Sequence, residues 1–567
     1  MRTSLTPRLC RLVPLMLTTI AVFSGCGEDC PTCPPCPPTG ATTIPGDVEI
    51  GSQTELEQLR GVTEIRGRLF VDGRQAGDDP IRDLTPLIAL TRIEDDLMIF
   101  RTLISDLGGL QNLRSCQRLR VSNCDSLTSL AGFGASDSVV VVIVEACEQL
   151  TSLAALGATP RLEDLFLVRL NAVSSLAGLD SLSRLERLQI DRLPRLRDVQ
   201  GLGATPALES LRLVGCDSLR ALSGLVVLTS LTLLDIAGCG VENLDGLPSM
   251  PRLSELNLFF CPALADLGGL ADLPELRSLS IRQCNGLQNL SGLTAAPKLQ
   301  FVTLGENQAL TGLSGLPALP DLEVLRISNH PGLTELGNPG LLSSVERLIL
   351  TANRELTGLD GLGDLPNLRY LDLSSNSALI DLNGLGVLPA LEELSIASNH
   401  NLVSLDGLPA DLPMLRVCSI DLNDELQSLT TFNDLGSLDV LQIEENRSLT
   451  SLAGLTGMPA TVAILMRNND SLTDMTGLES LTTCDELLLY QNDGLVDLGG
   501  LESLTAITSI LSISLNLNLT SLDGLHNLSS AGELRVTDNP TLGNAAAYAF
   551  AAGVEVSGTV TIGGNGD

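Results

Sequence analysis

Length, composition and charge set the first limits on this chain. It has 567 residues, with 34 Lys and Arg against 68 Asp and Glu, and a formal net charge of -34. A surface this acidic repels phosphate backbones, so nucleic-acid binding is disfavoured. Aromatic residues make up only 2% of the chain and Trp is absent, which removes most stacking platforms for bases or sugars.

Residues 1–25 predict an export signal, because a basic start precedes a short apolar run that ends just before Cys26. The run is too short for a membrane span. Phe23-Ser24-Gly25-Cys26 resembles a bacterial lipobox, with Phe where Leu is commoner, and this implies that Cys26 becomes the first mature residue and carries the lipid. Gly27 in the next position implies sorting to the outer membrane. An ordinary secretory signal, cleaved nearby, is the alternative.

Residues 26–45 are rich in Pro and Cys, which predicts an extended tether between the lipid and the body of the protein. Cys30, Cys33 and Cys36 lie within it. In an oxidising compartment they could form disulfides within or between chains. A metal site would need a fourth ligand, which the neighbouring sequence does not offer, so we expect no metal.

Residues 46–96 predict an N-terminal cap with the first turns of a repeat. We expect a strand at 47–50, a short helix at 53–59 and one strand at 65–71, followed by a Gly- and Asp-rich surface loop at 72–80. Its three Asp residues make Ca²⁺ binding an alternative for that loop. The stretch 61–67 is similar to the opening of receptor L-domains, another leucine-rich coil.

Residues 97–543 repeat with a period of 22 to 24 residues. One position, held in most units by Asn or Cys, marks each unit, and we call these nineteen residues the frame residues. They are Cys124, Cys147, Leu170, Leu193, Cys216, Cys239, Cys261, Cys284, Asn307, His330, Asn353, Asn376, Asn399, Asn423, Asn446, Asn469, Asn492, Asn516 and Asn539. Such a period predicts stacked units in which each unit buries the apolar side of its neighbour.

Apolar residues fall at fixed offsets from each frame residue, as Leu394 and Ile396 do before Asn399. The Leu-x-Ile alternation predicts a short strand, and stacked units predict parallel strands about 4.8 Å apart. The frame Asn amide is expected to hydrogen-bond buried backbone groups where the chain turns inward. Frame cysteines are expected to be buried free thiols; disulfides between adjacent units are the alternative.

The unit from Cys239 to Leu258, with Leu244-Asp245-Gly246-Leu247 within it, resembles the internalin type of leucine-rich repeat. The resemblance covers about residues 97–542. It implies an α/β-type, mainly β, right-handed solenoid with a parallel sheet on its concave face and short helical or irregular convex segments. Residues 544–567 predict a C-terminal cap of one helix and two short strands.

Catalytic or cofactor-binding constellations are not apparent in the sequence, so we predict no enzyme activity and no cofactor. The three histidines are His330, His400 and His526, and no single metal could bind the first two, because they lie three units apart. His330 occupies a frame position, where a buried structural role is expected.

The outward side of the sheet is the candidate binding surface. The predicted site comprises Phe259 and Phe260 with Arg282, Arg212 and Asp235 nearby, because exposed aromatics beside Arg favour protein contacts. The alternative is that Phe260 tucks into the turn and Phe259 is an isolated surface residue.

Two functions follow from these observations. The resemblance implies a lipid-anchored envelope protein that binds a protein or glycan without catalysis, attached to the membrane by its lipid alone. The alternative is a structural envelope protein without a discrete ligand. We expect a monomer, unless tether disulfides join chains.

Overall fold

The computed structural model describes residues 43–566, apart from 134–135, 271, 338–341, 430–431, 433–434 and 456. The predicted signal, the lipidation site Cys26 and the tether cysteines lie outside the described residues.

Short strands dominate these residues, and we number them in chain order. They are β1 Thr43–Pro45, β2 Val48–Ile50, β3 Glu64–Arg66, β4 Leu69–Asp72, β5 Arg92–Ile93, β6 Asp96–Phe100, β7 Arg118–Ser122, β8 Val141–Glu145, β9 Asp164–Val168, β10 Arg187–Asp191, β11 Gly203–Ala204, β12 Ser210–Val214, β13 Leu225–Val227, β14 Leu233–Ala237, β15 Glu255–Phe259, β16 Ser278–Arg282, β17 Phe301–Gly305, β18 Val324–Ser328, β19 Arg347–Thr351, β20 Tyr370–Asp372, β21 Glu393–Ala397, β22 Val417–Asp421, β23 Val440–Glu444, β24 Ala463–Arg467, β25 Thr483–Tyr490, β26 Ala506–Ser514, β27 Ser530–Thr537, β28 Glu555–Val556 and β29 Val560–Gly563.

One long parallel sheet carries the architecture. Starting at β2 and β4, each repeat adds a strand beside the previous one, and β27 pairs last with β28 and β29. The pairing is in register, so that Leu371 lies between Leu348 and Leu394. This confirms the predicted mainly β, right-handed leucine-rich solenoid.

Helices are few among the described residues. The α-helices are α1, Gln53–Glu57, and α2, Asn544–Ala551, and four 3-10 turns are Gly73–Gln75, Thr85–Leu87, Ala154–Ala158 and Asp523–Leu525. Neither α-helix has the length and apolar character needed to cross a membrane. The return segments of the repeats are otherwise largely irregular, as the Gly- and Pro-containing motifs predict.

The core is a continuous column of leucines. Around Asn399, the residues Leu391, Leu394, Ile396 and Leu402 are at most 1% exposed, and the same offsets are buried in the neighbouring repeats. Because each leucine packs on its counterpart one strand away, stability comes from contacts between neighbouring repeats.

The frame asparagines bind the backbone of the repeat before them. In the case of Asn376, the side-chain Oδ1 accepts from the Asn353 N–H at 3.0 Å, while Nδ2 donates to the Leu350 and Leu373 carbonyls at 2.7 Å. The bond from a backbone N–H to the asparagine Oδ1 recurs along the asparagine column, where every member is at most 1% exposed, although the Nδ2 of Asn399 has no hydrogen-bond partner. These bonds satisfy backbone groups that would otherwise be buried without a partner.

The frame cysteines also contact buried backbone carbonyls, through their sulfur atoms. Cys284 Sγ contacts the Leu258 carbonyl at 3.7 Å, and Cys239 Sγ contacts the Leu213 carbonyl at 3.4 Å. All nine described cysteines are buried free thiols. Burial raises the pKa of Cys418, which lies within β22, to about 12, so this thiol stays protonated and unreactive at neutral pH.

The residue before each frame residue adopts the left-handed backbone conformation. Ser375 has a φ of 65° and Phe260 a φ of 50°, and eighteen described residues other than glycine share positive φ. This conformation costs about 1 to 2 kcal/mol for a residue with a side chain. A hydrogen bond to the next repeat stabilises this conformation, since the Ser375 N–H donates to the Ala397 carbonyl at 2.7 Å.

Both ends of the frame column extend further than the repeat pattern indicates. Thr102 is buried and its hydroxyl contacts Cys124 Sγ at 3.2 Å. At the other end, Asn565 donates from Nδ2 to the Val536 carbonyl at 2.8 Å, and its backbone N–H donates to Asn544 Oδ1 at 3.3 Å. Asn544, the first residue of α2, therefore terminates the column.

The predicted single strand at 65–71 is wrong, because the structure has β3 and β4 in two different sheets. β1, β3 and β5 form a separate three-stranded parallel sheet, whereas β4 belongs to the main sheet. The chain bends at Gly67, where a Cβ atom would lie 2.6 Å from the Gly46 carbonyl carbon. Only glycine permits this approach.

His330 replaces asparagine at its frame position. Its Nδ1 accepts from the Asn307 N–H at 3.2 Å, and its own N–H donates to Asn353 Oδ1 at 3.1 Å. Burial lowers the pKa of His330 below its usual value of 6.5, which keeps the imidazole neutral in the folded protein.

Replacing Asn376 by Ala is expected to lower the free energy of unfolding by about 2 to 4 kcal/mol, because it leaves the buried Asn353 N–H and Leu350 carbonyl without partners. Asn376→Cys should lose less, since Cys acts at other frame positions. The midpoint of chemical denaturation measures both. The control is exposed Asn401→Ala on the next repeat; equal losses in N376A and N401A would contradict the role of the column.

His330→Asn is expected to reduce the acid sensitivity of the protein. A pKa that is lower in the folded than in the unfolded chain stabilises the fold above about pH 6.5, and this contribution is lost as the pH falls. Denaturation midpoints of wild type and H330N should therefore diverge between about pH 7.5 and pH 5, with H330N the more stable in acid. Exposed His400→Asn is the control, and a constant difference across this pH range would refute the assignment.

Candidate interaction surface

The outward side of the main sheet is built by alternate residues of each strand. In β15, Leu256 and Leu258 are buried, while Glu255, Asn257 and Phe259 point outward. In-register pairing extends each outward position into a column that runs along the whole stack. A partner could therefore contact side chains from many repeats on one continuous surface.

The two predicted aromatic residues are both exposed. Phe259, the last residue of β15, is 45% exposed, and Phe260, which follows it, is 51% exposed. The alternative in which Phe260 tucks into the turn is wrong. Its left-handed backbone places the frame residue Cys261 in the interior instead, where Cys261 is 1% exposed.

Arg282 is the in-register partner of Phe259 on β16. Its aliphatic carbons extend towards the next repeat, since a Cβ atom on Gly305 would lie 3.5 Å from Arg282 Cγ. The absence of a side chain at Gly305 thus leaves room for Arg282 to lie along the sheet. Arg282 therefore starts on the repeat next to the aromatic pair, and its side chain extends away from that pair along the same surface.

Arg212 and Asp235 form a pair of their own. They are in-register partners on β12 and β14, with Arg212 Nε 3.7 Å from Asp235 Oδ2. Burial raises the pKa of Asp235, and Arg212 opposes this increase. The two residues lie in the central column, whereas Phe259 lies in the column at the strand ends, so the predicted site divides into an aromatic group and an ion pair.

Small residues flank the aromatic pair on its N-terminal side, a feature that the sequence prediction missed. Ala237 is the in-register partner of Phe259, and Gly238 occupies the left-handed position that Phe260 takes one repeat later. Gly215 takes that position in the repeat before. Phe259 and Phe260 therefore project beyond the small side chains of the two preceding repeats. Glycine before two successive frame residues, at 215 and 238, was the sequence feature that could have predicted this.

The predicted structural residues do not contribute to this surface. Cys216, Cys239, Cys261 and Cys284, and the asparagines from Asn307 to Asn446, lie in the buried frame column. His330 is buried as well, while His400 is exposed with its Nδ1 2.8 Å from Asp424 Oδ2. Among the described residues, no cluster of three or more His, Cys, Asp or Glu side chains is arranged to hold a metal ion.

The sequence prediction also missed two recesses on the outward side of the sheet. One, of about 350 Å³, is lined by Glu444, Leu465, Met466, Arg467, Leu488 and Tyr490. The other, of about 200 Å³, is lined by Glu346, Arg347, Arg369, Tyr370, Glu392 and Glu393. In each, an arginine lies over a tyrosine ring, with the guanidinium carbon of Arg467 5.5 Å from the Tyr490 centroid and that of Arg347 4.0 Å from the Tyr370 centroid.

No protein-family model matches this chain, and the comparison with curated proteins finds no match. Among solved structures, an internalin (inlF) from Listeria monocytogenes is 14% identical, with a TM-score of 0.26, over 67% of this chain and 86% of that one.

The plant peptide hormone receptor RGFR1 in complex with RGF2 is 15% identical, with a TM-score of 0.18, over 92% of this chain and 96% of that one. The circular leucine-rich repeat protein CroV588 is 12% identical, with a TM-score of 0.18, over 93% and 92%. The repeat period, the in-register parallel ladder and the buried frame column make this chain a leucine-rich-repeat-like solenoid.

Proposed function

We propose that this protein is an exported, lipid-anchored interaction module of the bacterial cell envelope. It binds a protein or glycan partner through the outward side of its sheet, without catalysis. The observation that carries the proposal is the exposed pair Phe259 and Phe260 on a rigid parallel sheet, in a chain with few aromatic residues.

The location of this pair supports binding more than packing. Both rings are about half exposed, so they add little to the core, and Arg282 lies on the adjacent strand. Aromatic and arginine side chains contribute most of the energy at many protein interfaces. A backbone held by hydrogen bonds on both sides presents them with little loss of conformational entropy on binding.

The alternative is a structural envelope protein whose acidic body covers or spaces the surface without a discrete ligand. The high net charge and the regular stack would suffice for that role. It predicts that substitutions on the outward side of the sheet change no binding reaction.

Phe259→Ser with Phe260→Ser is expected to reduce capture of the partner by at least about tenfold, because interface aromatics of this kind contribute about 2 kcal/mol or more each. The exported protein is used as bait for envelope and culture fractions, and bound proteins and glycans are quantified by mass spectrometry. The control is Val226→Ser with Tyr548→Ser, which removes 62% and 59% exposed apolar side chains outside the main sheet. Capture that is equal in both double variants would support the structural alternative.

Cys26→Ser is expected to abolish lipidation and release the protein from the membrane fraction, because Cys26 is the proposed acceptor of the acyl chains. Metabolic labelling with an alkyne-bearing fatty acid, followed by fractionation, measures both effects. Cys30→Ser in the tether is the matched control and should stay labelled and bound. Labelled C26S protein would contradict the proposed anchor.

A further inference from the structure

Negative charge is unevenly divided along the solenoid. Residues 43–240 contain 19 Lys and Arg against 26 Asp and Glu, whereas residues 241–567 contain 12 against 40. Most of the excess negative charge therefore belongs to the C-terminal part of the chain.

In the N-terminal part, several carboxylates on the outward side of the sheet are paired with arginine. Asp164 Oδ1 lies 2.6 Å from Arg187 Nε. Glu145 binds two guanidinium groups, with its oxygens 2.9 Å from Arg120 and 2.7 Å from Arg169. These charges are largely neutralised within the protein.

The face of β22 to β25 differs. Asp421 accepts only neutral donors, namely the Glu444 N–H at 3.1 Å and the Ser419 hydroxyl, and Glu444 accepts from Gln442 Nε2 at 3.1 Å. Within the described ranges, no Lys or Arg nitrogen lies within 4.0 Å of the carboxylates of Asp421, Glu444 or Glu445. Adjacent negative charges without a counter-ion repel each other and raise the energy of the free protein.

Arg467, the arginine on the neighbouring strand, does not neutralise the carboxylates of Asp421 and Glu444. Arg467 is the in-register partner of Glu444, yet its guanidinium lies over the Tyr490 ring. Burial, with the charge of Glu444 as a further cause, raises the pKa of Asp421 to about 6. The fold therefore tolerates an electrostatic cost on this surface, which a positively charged partner would relieve.

Apolar side chains adjoin these carboxylates. Leu422 and Tyr490 are each 38% exposed. Leu465 and Leu488 line the recess of about 350 Å³ together with Glu444 and Arg467. The surface thus combines a negative rim with a shallow recess that is partly lined by leucine, an arrangement that suits a chain carrying both basic and aliphatic side chains.

We propose that the outward face of β22 to β25 is a docking surface for a basic, amphipathic segment of another protein. Its Lys or Arg side chains bind Asp421, Glu444 and Glu445, and an aliphatic side chain enters the recess that Leu465 and Leu488 help to line. Seven repeats, or about 34 Å, separate this surface from Phe259, so the two can be tested independently.

The test uses a fluorescent ten-residue peptide of alternating Lys and Leu as the probe, with anisotropy titrations of the full chain at low and high salt. We expect binding that weakens at high salt, because charge pairs at a surface are screened. A Lys–Ser peptide should bind less tightly, since it cannot fill the recess, and a Glu–Leu peptide should not bind.

Asp421→Asn with Glu444→Gln should weaken binding of the Lys–Leu probe at least about tenfold, while thermal denaturation shows the same or a higher melting temperature, because two like charges are removed. The control Glu355→Gln with Asp360→Asn removes the same net charge from exposed positions outside the strands, and it should leave the affinity unchanged.

Equal weakening in both double variants would show attraction to net charge alone and would overturn the proposal, as would unchanged affinity in D421N/E444Q. The variant F259S/F260S should bind this probe normally. Failure of the proposal about Phe259 is therefore distinguishable from failure of this one.

Discussion

The structure depends on satisfying the backbone groups that are buried where each strand ends and the chain turns into the interior. In most repeats one side chain does this, as Asn376 does for Asn353 and Leu350. An unpaired backbone group in that position costs about as much as a lost hydrogen bond, and the cost would recur in every repeat. The regular 22- to 24-residue period therefore keeps these side chains in one buried column, in which Leu170 and Leu193 are the frame residues that cannot hydrogen-bond.

This constraint also explains which residues can replace asparagine. Cysteine is small, tolerates burial and offers sulfur as both donor and acceptor, and Cys239 and Cys284 contact the same kind of carbonyl that asparagine does. Histidine at position 330 offers Nδ1 as an acceptor, provided that it remains neutral. The asparagine, cysteine and histidine frame residues thus share a capacity to hydrogen-bond and not a residue identity, whereas Leu170 and Leu193 fill the same buried column without it.

Because the apolar interior repeats, the differences between repeats that a partner can contact lie at the outward positions, and these positions divide the surface. An aromatic pair beside an arginine lies on β15 and β16, and unpaired carboxylates beside apolar residues lie on β22 to β25. Both arrangements leave side chains or charges unsatisfied in the free protein. Elsewhere on this surface some carboxylates are already paired within the protein, as Asp164 is with Arg187. The aromatic pair and the unpaired carboxylates are therefore the places where contact with a partner gains the most binding energy.

The sequence by itself determined the period, the frame residues and the alternation of buried and outward residues, because these follow from local spacing that every repeat restates. It also indicated Phe259 and Phe260 as outward residues. Only the tertiary structure decided that residues 65–71 divide between two sheets, that Asn544 closes the column, and that Arg212 is taken up by Asp235 while Asp421 lacks a counter-ion. Those features depend on contacts between residues about 20 or more positions apart, whose geometry no local pattern encodes.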